Sequence, residues 1–229
     1  MTLTTIKERI KSMENPKRKA FDEKLNPGVK HIYGLTMPQI KDIANDIYKD
    51  DPILFLETND FSCYELKQLQ AMVIAKIKDI DISLKYMEKF IPYVDGWAVN
   101  DTLCSYFKQA RKHREKVFQF LKPYFNSSKE FEQRIVSVMF LCHFLVDDYI
   151  DDVIRILNQQ KPQAYYAKMG VAWAIATILA KYPDKGLSYI KHNDLDTWTY
   201  KKSIQKALES FRVSDSLKET LKNLRYANK

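Results

Sequence analysis

Apolar residues recur along the chain with the 3.6-residue period of amphipathic α-helices, and no stretch shows the alternation typical of a β-strand. Short runs that stop or start helices, such as Asn26-Pro-Gly and Asp50-Asp-Pro, separate the periodic segments. The spacing predicts helices at about residues 3–12, 15–25, 37–48, 62–77, 81–92, 97–109, 112–124, 129–145, 148–158, 163–181, 183–191, 196–211 and 214–227.

A longer period is superimposed on the helical one. Similar segment endings begin at Pro92, Pro123, Leu157 and Lys191, at intervals of 31 to 34 residues, and each closes a predicted helix pair. This spacing is typical of two-helix repeats whose apolar faces stack on one another. We therefore predict an all-α, superhelical solenoid of stacked two-helix repeats of the HEAT, armadillo or TPR type, rather than a four-helix bundle, that forms a single domain over residues 1–229.

Composition narrows the function classes. Only 5 Gly and 8 Pro among 229 residues are too few for the many turns of a β-sandwich or barrel, and no Gly-rich phosphate loop is present. A net charge of +8 favours a polyanionic partner. Three isolated cysteines indicate a reducing compartment, and the apolar stretches are too short to span a bilayer. We expect a cytoplasmic protein that has no membrane partner.

The segment from Asp95 to Lys108 carries the most informative pattern. Asp95 is the predicted N-cap of a helix that begins at about Trp97. Trp97, Asp101 and Lys108 fall on the side opposite the apolar stripe of that helix. Two interpretations stay open: Trp97 packs on a neighbouring element, or Trp97 and Asp101 are presented together into a groove. The apolar stripe consists of Val99, Leu103, Tyr106, Phe107 and Ala110.

A second tryptophan and an arginine are also ambiguous. Trp173 lies on a helix that is apolar almost all round, which favours a core position. Small residues such as Ala176 and Thr177 share its side, however, so another surface could approach the indole. Arg134 lies at the edge of an apolar stripe, and its ordinary interpretation is a surface arginine paired with Glu130 or Glu132.

Basic residues cluster near the C-terminal end. Lys202 and Lys206 lie one turn apart on a polar helix face, with Lys201 and Arg212 close in sequence. Four such cations could neutralise phosphates, although a solvated basic face is the ordinary explanation. The four histidines are scattered, and neither HExxH nor GxSxG occurs, so we expect no metal and no cofactor.

Together these segments resemble the AlkD-like DNA alkylation repair enzymes, which are alkylpurine DNA glycosylases built from HEAT-like repeats. The resemblance is carried by Ile32-Tyr-Gly-Leu-Thr-Met-Pro, by the Asp-x-Trp-x-x-x-Asp motif at residues 95–101 and by the helix led by Arg134. It continues through Lys168-Met-Gly-Val-Ala-Trp173 and the helix that follows Trp198. These motifs occur in the family's order over nearly the whole chain.

The resemblance implies roles for particular residues. Trp97 and Trp173 would contact the backbone of the damaged nucleotide, and Asp101 would be the catalytic carboxylate. Arg134 would hold a phosphate or shape the cleft. Further DNA contacts are expected from Lys168, Lys202, Lys206 and Arg212.

The implied reaction is the release of an N3- or N7-alkylated purine from double-stranded DNA. Such a base is cationic and leaves readily, so a carboxylate that stabilises the oxocarbenium-like sugar is sufficient. No deep base-flipping pocket, metal or cofactor is implied. We expect a monomer in a bacterial-type cytosol, associated with the nucleoid. Two alternatives stay open: a non-catalytic binder of damaged or branched DNA on the same fold, and a helical-repeat scaffold that binds another protein.

Overall fold

The computed structural model describes residues 1–227, and this part of the chain contains fourteen α-helices and no β-strand. The all-α prediction is confirmed, and the arrangement is consistent with HEAT-like helical repeats. The chain forms two compact units, unit 1 over residues 1–113 and unit 2 from residue 114 onwards. Whether the two units form a single domain stays a prediction.

Unit 1 is built around one helix that is buried on all sides. Seven helices make up the unit: α1 (Leu3–Ser12), α2 (Pro16–Leu25), α3 (Met37–Asp50), α4 (Pro52–Thr58), α5 (Tyr64–Lys76), α6 (Ile80–Phe90) and α7 (Trp97–Tyr106). The central helix α5 packs against α3 and α7. Because α5 is enclosed by its neighbours, even its polar residues Glu65, Gln68 and Gln70 are buried.

One helix of unit 1 was not predicted from the apolar period. The seven-residue α4 begins at Pro52, directly after its N-cap Asp51, whose side chain accepts a hydrogen bond from the amide of Leu54. The prediction treated Asp50-Asp-Pro as a loop because a helix of two turns is too short to show a 3.6-residue period. The same residues are also a helix start, since Asp is a favoured N-cap and Pro is tolerated at the first helical position.

The turn before α3 brings three backbone amides to a buried carboxylate. Gly34 has a φ of +81°, and a Cβ there would lie 2.6 Å from the carbonyl oxygen of Asn15. Only glycine fits this turn. The amides of Tyr33 and Gly34 each donate to Glu65 Oε1 at 2.9 Å. Burial nevertheless raises the pKa of Glu65, because its desolvation outweighs these hydrogen bonds.

Unit 2 also has a central buried helix. Its helices are α8 (Arg114–Leu121), α9 (Glu130–Met139), α10 (Ile150–Gln159), α11 (Tyr165–Lys181), α12 (Pro183–Lys191), α13 (Thr197–Glu209) and α14 (Asp215–Ala227). The long α11 packs against both α9 and α13. The predicted helix over 129–145 is interrupted, because α9 ends at Met139 and continues as a π-helical turn over residues 140–144. No helix within residues 1–227 is long and apolar enough to cross a membrane.

Candidate active site and nucleic-acid interface

Helix α7 begins at Trp97, as predicted, but its cap differs from the prediction. The N-cap residue is Gly96, and no side chain caps the helix. The prediction that Asp95 is the N-cap is wrong, because its carboxylate forms an ion pair with Lys67 on α5, with a distance of 2.5 Å from Lys67 Nζ to Asp95 Oδ2. This ion pair links the segment before α7 to the central helix.

Trp97 contacts a neighbouring helix while staying partly exposed. Its indole Nε1 donates a hydrogen bond of 2.8 Å to the carbonyl oxygen of Leu25, the last residue of α2. This bond satisfies one of the carbonyls that a helix leaves unpaired at its C-terminal end. The interpretation that Trp97 packs on a neighbouring element is therefore confirmed.

Trp97 and Asp101 also line one cleft, which we call the unit-1 cleft. It has a volume of about 310 Å³ and lies between α2, the start of α3, α5 and α7. Its charged residues are Arg18, Asp22 and Asp101, and the rest of its lining is formed by Leu25, Asn26, Met37, Tyr64, Gln68, Trp97, Ala98, Thr102, Ser105 and Tyr106. The two interpretations of Trp97 are therefore compatible. The residue packs on α2, and it also lines a cleft together with Asp101.

Tyr106 corrects the predicted apolar stripe of α7. Four members of the stripe, Val99, Leu103, Phe107 and Ala110, are fully buried. Tyr106 is 38% exposed and faces the unit-1 cleft instead. The pattern could not separate these positions, because tyrosine suits both a core and an aromatic cleft wall.

The charges of the unit-1 cleft favour positive over negative ligands. The buried carboxylate of Asp22 accepts a hydrogen bond of 2.9 Å from Arg18 Nε, and Asp101 adds a second, half-buried carboxylate. Burial raises the pKa of Tyr64 to about 12, so its phenol stays neutral at physiological pH. Two carboxylates against one guanidinium leave the lining with a formal charge of −1. The cleft is thus suited to stabilise positive charge and is not a phosphate site.

Trp173 lies at the surface of unit 2. The indole is 36% exposed, so the core interpretation is wrong. It borders a small hollow of about 150 Å³, which we call the Trp173 depression, formed by Trp173, Ala176, Thr177, Lys206, Glu209, Ser210 and Arg212. Helix α11 could be apolar almost all round and still expose Trp173, because the small residues Ala176 and Thr177 leave the hollow open.

The Trp173 depression brings together three of the predicted site residues, Trp173, Lys206 and Arg212. Burial lowers the pKa of Lys206, and the positive charges of Lys202 and Arg134 lower it further, whereas Glu209 opposes the change. Two cations against one carboxylate give this lining a formal charge of +1. The depression therefore has the charge that a phosphate requires.

Arg134 is 5% exposed, so its interpretation as a surface arginine is wrong. Its Nη1 donates a hydrogen bond of 2.7 Å to the carbonyl oxygen of Tyr166 at the start of α11. A Cβ at Gly170 would lie 3.4 Å from Arg134 Cγ, so glycine allows the arginine to pack closely beneath α11. Arg134 thus holds α11 against α9, and its contact with DNA stays a prediction.

Lys168 connects α11 to the start of α13. Its Nζ lies 3.3 Å from Asp196 Oδ1, and Asp196 is the N-cap of α13. Partial burial raises the pKa of Asp196, but hydrogen bonds from Thr199 and the ion pair with Lys168 outweigh it and leave the pKa below its ordinary value. The ion pair occupies the Lys168 ammonium in the free protein, and a DNA contact by Lys168 also stays a prediction.

An exposed aromatic and basic patch was missed at the sequence level. Tyr165 and Trp198 are both exposed, and their ring centroids lie 5.7 Å apart in an edge-to-face arrangement. Lys202 Nζ lies 5.6 Å from the centroid of the Trp198 ring. The signal was the spacing of four residues between Trp198 and Lys202, which places them on one helix face. We call Tyr165, Trp198, Lys201 and Lys202 the aromatic-basic patch.

These features define an all-α protein of stacked short helices that presents an acidic, tryptophan-lined cleft in one unit and basic, tryptophan-lined surfaces in the other. Such surfaces are typical of proteins that handle nucleic acids. The sequence matches the family described as DNA alkylation repair enzyme over residues 6–208, and the chain belongs to that family. No curated protein matches the chain significantly. The family predicted from the sequence motifs is confirmed.

Proposed function

We propose that this protein is a monofunctional DNA glycosylase that releases N3- or N7-alkylated purines from double-stranded DNA. The observation that carries the proposal is the placement of Asp101 beside Trp97 on the wall of a negatively charged cleft, in a member of a DNA alkylation repair family. Asp101 supplies the charge and Trp97 the aromatic surface that a positively charged sugar requires.

The reaction hydrolyses one bond. The bond between C1′ and the purine nitrogen breaks, its electron pair leaves with the cationic base, and the sugar becomes an oxocarbenium-like cation. Water adds to C1′ and loses a proton, which yields an abasic site. Because the alkylated base is already a good leaving group, the carboxylate of Asp101 acts mainly through its electrostatic field. The reaction requires no cofactor, and an open cleft is sufficient for it.

Unit 2 is proposed to hold the DNA backbone. Lys206 and Arg212 would contact phosphates at the Trp173 depression, with Trp173 beside the DNA backbone. Lys202 adds positive charge nearby, and Arg134 and Lys168 support the helices that carry these groups. Phosphate contacts position the duplex without reading its sequence, so binding should be similar for different base sequences.

The test is release of free base from a duplex that carries one N7-methylguanine. The protein should liberate N7-methylguanine and leave an abasic site, and it should release nothing from a duplex with unmodified guanine. Both products are measured after single-turnover incubation at neutral pH, with a protein-free incubation to correct for spontaneous depurination. Tight binding without base release would refute the glycosylase proposal.

A second candidate is a non-catalytic binder of damaged or branched DNA. The aromatic-basic patch favours it, because an exposed Trp198 with a lysine over its ring can stack an unpaired base and neutralise its phosphate. A steep loss of duplex affinity with rising salt would favour the glycosylase or the DNA binder and would argue against a protein scaffold. Base release then distinguishes the enzyme from the binder.

A further inference from the structure

The turn between α13 and α14 presents a phenylalanine side chain that packs on no other part of the protein. Phe211 is 102% exposed, so its ring keeps the whole surface that it would have in an extended chain. Tyr165, the next most exposed large apolar side chain in the described part of the chain, is 57% exposed. A single exposed apolar residue is ordinary by itself, so the surroundings of Phe211 decide what its exposure means.

The turn that carries Phe211 is ordered by hydrogen bonds and by a buried neighbour. The carbonyl oxygen of Ser210 accepts a hydrogen bond of 3.4 Å from the amide of Val213, and the Ser210 hydroxyl accepts one of 3.2 Å from the amide of Arg212. Val213 is buried. Turns are usually formed by Gly, Pro, Asn, Asp or Ser, so the backbone requires no aromatic residue here. Because the turn is already ordered, little entropy is lost when a partner covers the ring.

The residues on both sides of Phe211 belong to the Trp173 depression. Ser210 and Arg212 line it, together with Lys206 and the exposed indole of Trp173. Phe211 is not part of the lining, so its ring lies beside the hollow and faces solvent. The structure therefore places an unpacked aromatic ring directly next to a surface of positive charge.

This combination of groups fits double-stranded DNA. The cations of the depression are complementary to phosphates, whereas the ring can be removed from water only against an apolar surface. A free phosphate would leave the ring exposed. A duplex supplies both surfaces, because the faces of its stacked bases lie next to its phosphates. Proteins that deform DNA insert phenylalanine and other apolar side chains between base steps in this way.

We propose that Phe211 is a wedge that inserts between neighbouring base pairs of the duplex whose phosphates Lys206 and Arg212 contact. The choice of DNA as the partner rests on the proposed function. Insertion unstacks one base step and kinks the duplex, by about 20–90° for wedges of this kind. Phe211 is thus a positioning residue: it deforms the DNA and touches no reacting atom.

The first experiment measures bending of a duplex of about 25 base pairs that carries a fluorescent donor at one end and an acceptor at the other. Saturating wild-type protein should raise energy transfer, because a kink brings the ends closer together. Saturating Phe211→Ala protein should leave energy transfer near the value of the free duplex, and Phe211→Leu should retain most of the bend, since leucine also serves as a wedge. Equal bending by wild type and Phe211→Ala would overturn the proposal.

The control for bending is Leu54→Ala. Leu54 is an exposed apolar residue on α4, and it lies outside the linings of the unit-1 cleft and the Trp173 depression. The substitution removes exposed apolar surface without touching the proposed wedge, so bending should equal that of the wild type. Loss of bending in Leu54→Ala as well would show that the effect is not specific to Phe211 and would overturn the proposal.

The second experiment measures duplex affinity at several salt concentrations. Phe211→Ala should weaken binding about tenfold at each concentration, within the range found when an aromatic side chain that stacks on a base is removed. The slope of log K against log salt should stay unchanged, because no cation is lost. Arg212→Gln is the matched comparison and should reduce that slope by about 0.9. Unchanged affinity of Phe211→Ala, or a slope changed as in Arg212→Gln, would overturn the proposal.

Stability and oligomeric state test the other uses of an exposed ring. Because the ring packs on nothing, Phe211→Ala should melt at the same temperature as the wild type. A clear fall in melting temperature would show that the ring packs on the protein and would overturn the proposal. A wild-type protein that self-associates, and becomes monomeric on Phe211→Ala, would show that a second copy covers the ring and would also overturn it.

These outcomes separate the wedge from the proposed activity. If the protein releases N7-methylguanine from DNA, and Phe211→Ala binds and bends the duplex as the wild type does, the wedge is wrong and the glycosylase stands. If the duplex is bent through Phe211 and no base is released, the glycosylase is wrong and the wedge stands as part of a non-catalytic DNA binder.

Discussion

Replacement of Asp101 by asparagine is the sharpest test of the proposed chemistry. Asparagine has nearly the same volume as aspartate and retains a polar side chain, so the fold should survive. What is lost is the negative charge on the wall of the unit-1 cleft. If that charge stabilises the sugar cation, base release should slow while binding to an intact duplex stays equal or improves, because a charge that repels DNA has been removed.

The expected magnitude follows from the position of the carboxylate. Two unit charges about 4 Å apart interact with about 4 kcal/mol at an effective dielectric constant of about 20. Asp101 is partly exposed, so water screens its field. We therefore expect a smaller contribution of about 2.7 kcal/mol, the lower end of the cost of removing one preorganised active-site group. At about 1.36 kcal/mol for each factor of ten, base release should slow on the order of 100-fold.

The assay measures single-turnover release of N7-methylguanine and the melting temperature on the same preparation. Asp95→Asn is the matched control, because it removes the same charge six residues earlier, at an ion pair with Lys67 outside the cleft lining. It should leave the rate unchanged. An Asp101→Asn protein with a wild-type rate and a lowered melting temperature would show that Asp101 has a structural role and would favour the non-catalytic binder.

Three further predictions follow from unit 2 and from the buried acid of unit 1. Lys202→Gln with Lys206→Gln should weaken binding to damaged and undamaged duplex alike, and should reduce the slope of log K against log salt by about 1.8. Trp173→Ala should lower base release strongly and stability by less than about 3 kcal/mol, since the indole is only partly buried. Glu65→Gln should raise the melting temperature relative to wild type at pH 8, and this gain should shrink as the pH falls towards 4.5.

The sign of the last effect follows from the raised pKa of Glu65. The stabilisation by its protonated form is complete below the ordinary pKa and is lost as the pH rises through the folded-state pKa. The neutral amide of Glu65→Gln does not lose this stabilisation at high pH. A larger gain in melting temperature at low pH than at pH 8 would contradict this reasoning.

Two comparisons control the unit 2 predictions. Lys185→Gln with Lys191→Gln makes the same charge change on α12, outside the Trp173 depression and the aromatic-basic patch, and should leave the salt slope unchanged. An equal change of slope would mean that Lys202 and Lys206 hold no phosphates.

For Trp173, the reference is Phe140→Ala at a fully buried position, which should cost about 3 to 5 kcal/mol. A similar cost at Trp173 would restore its interpretation as a core residue.

Apolar spacing was sufficient to predict most helices, because each buries a stripe against its neighbours. It failed where local chemistry decides the structure. Helix α4 is too short to show a period, and the end of α9 changes to a π-helical turn within one apolar run. The period reports which face of a helix is buried, and it does not report how the backbone is hydrogen-bonded within an apolar run.

The site residues were predictable in type but not in their surroundings. The off-stripe position of Trp97 and Asp101 correctly indicated that they share a cleft wall. The buried positions of Asn26 and Gln68 on this wall were not predicted, because their amide nitrogens donate to groups that only the folded chain brings to them. A sequence shows which residues carry polar groups, but only the folded chain shows which of those groups are paired.

Some basic residues of unit 2 stabilise its helices and others line an open surface, and the charge pattern of the sequence does not separate the two groups. Arg134 donates to a backbone carbonyl of α11, and Lys168 pairs with the cap of α13, so both cations already stabilise the helices that carry Trp173 and Lys206. Lys206 and Arg212 instead line an open depression beside an exposed indole. If a phosphate binds there, replacing Lys206 or Arg212 removes a contact to the phosphate, whereas replacing Arg134 or Lys168 displaces the elements that form the site. Loss of DNA binding would accompany either change, but only the second pair should also lower stability in the absence of DNA.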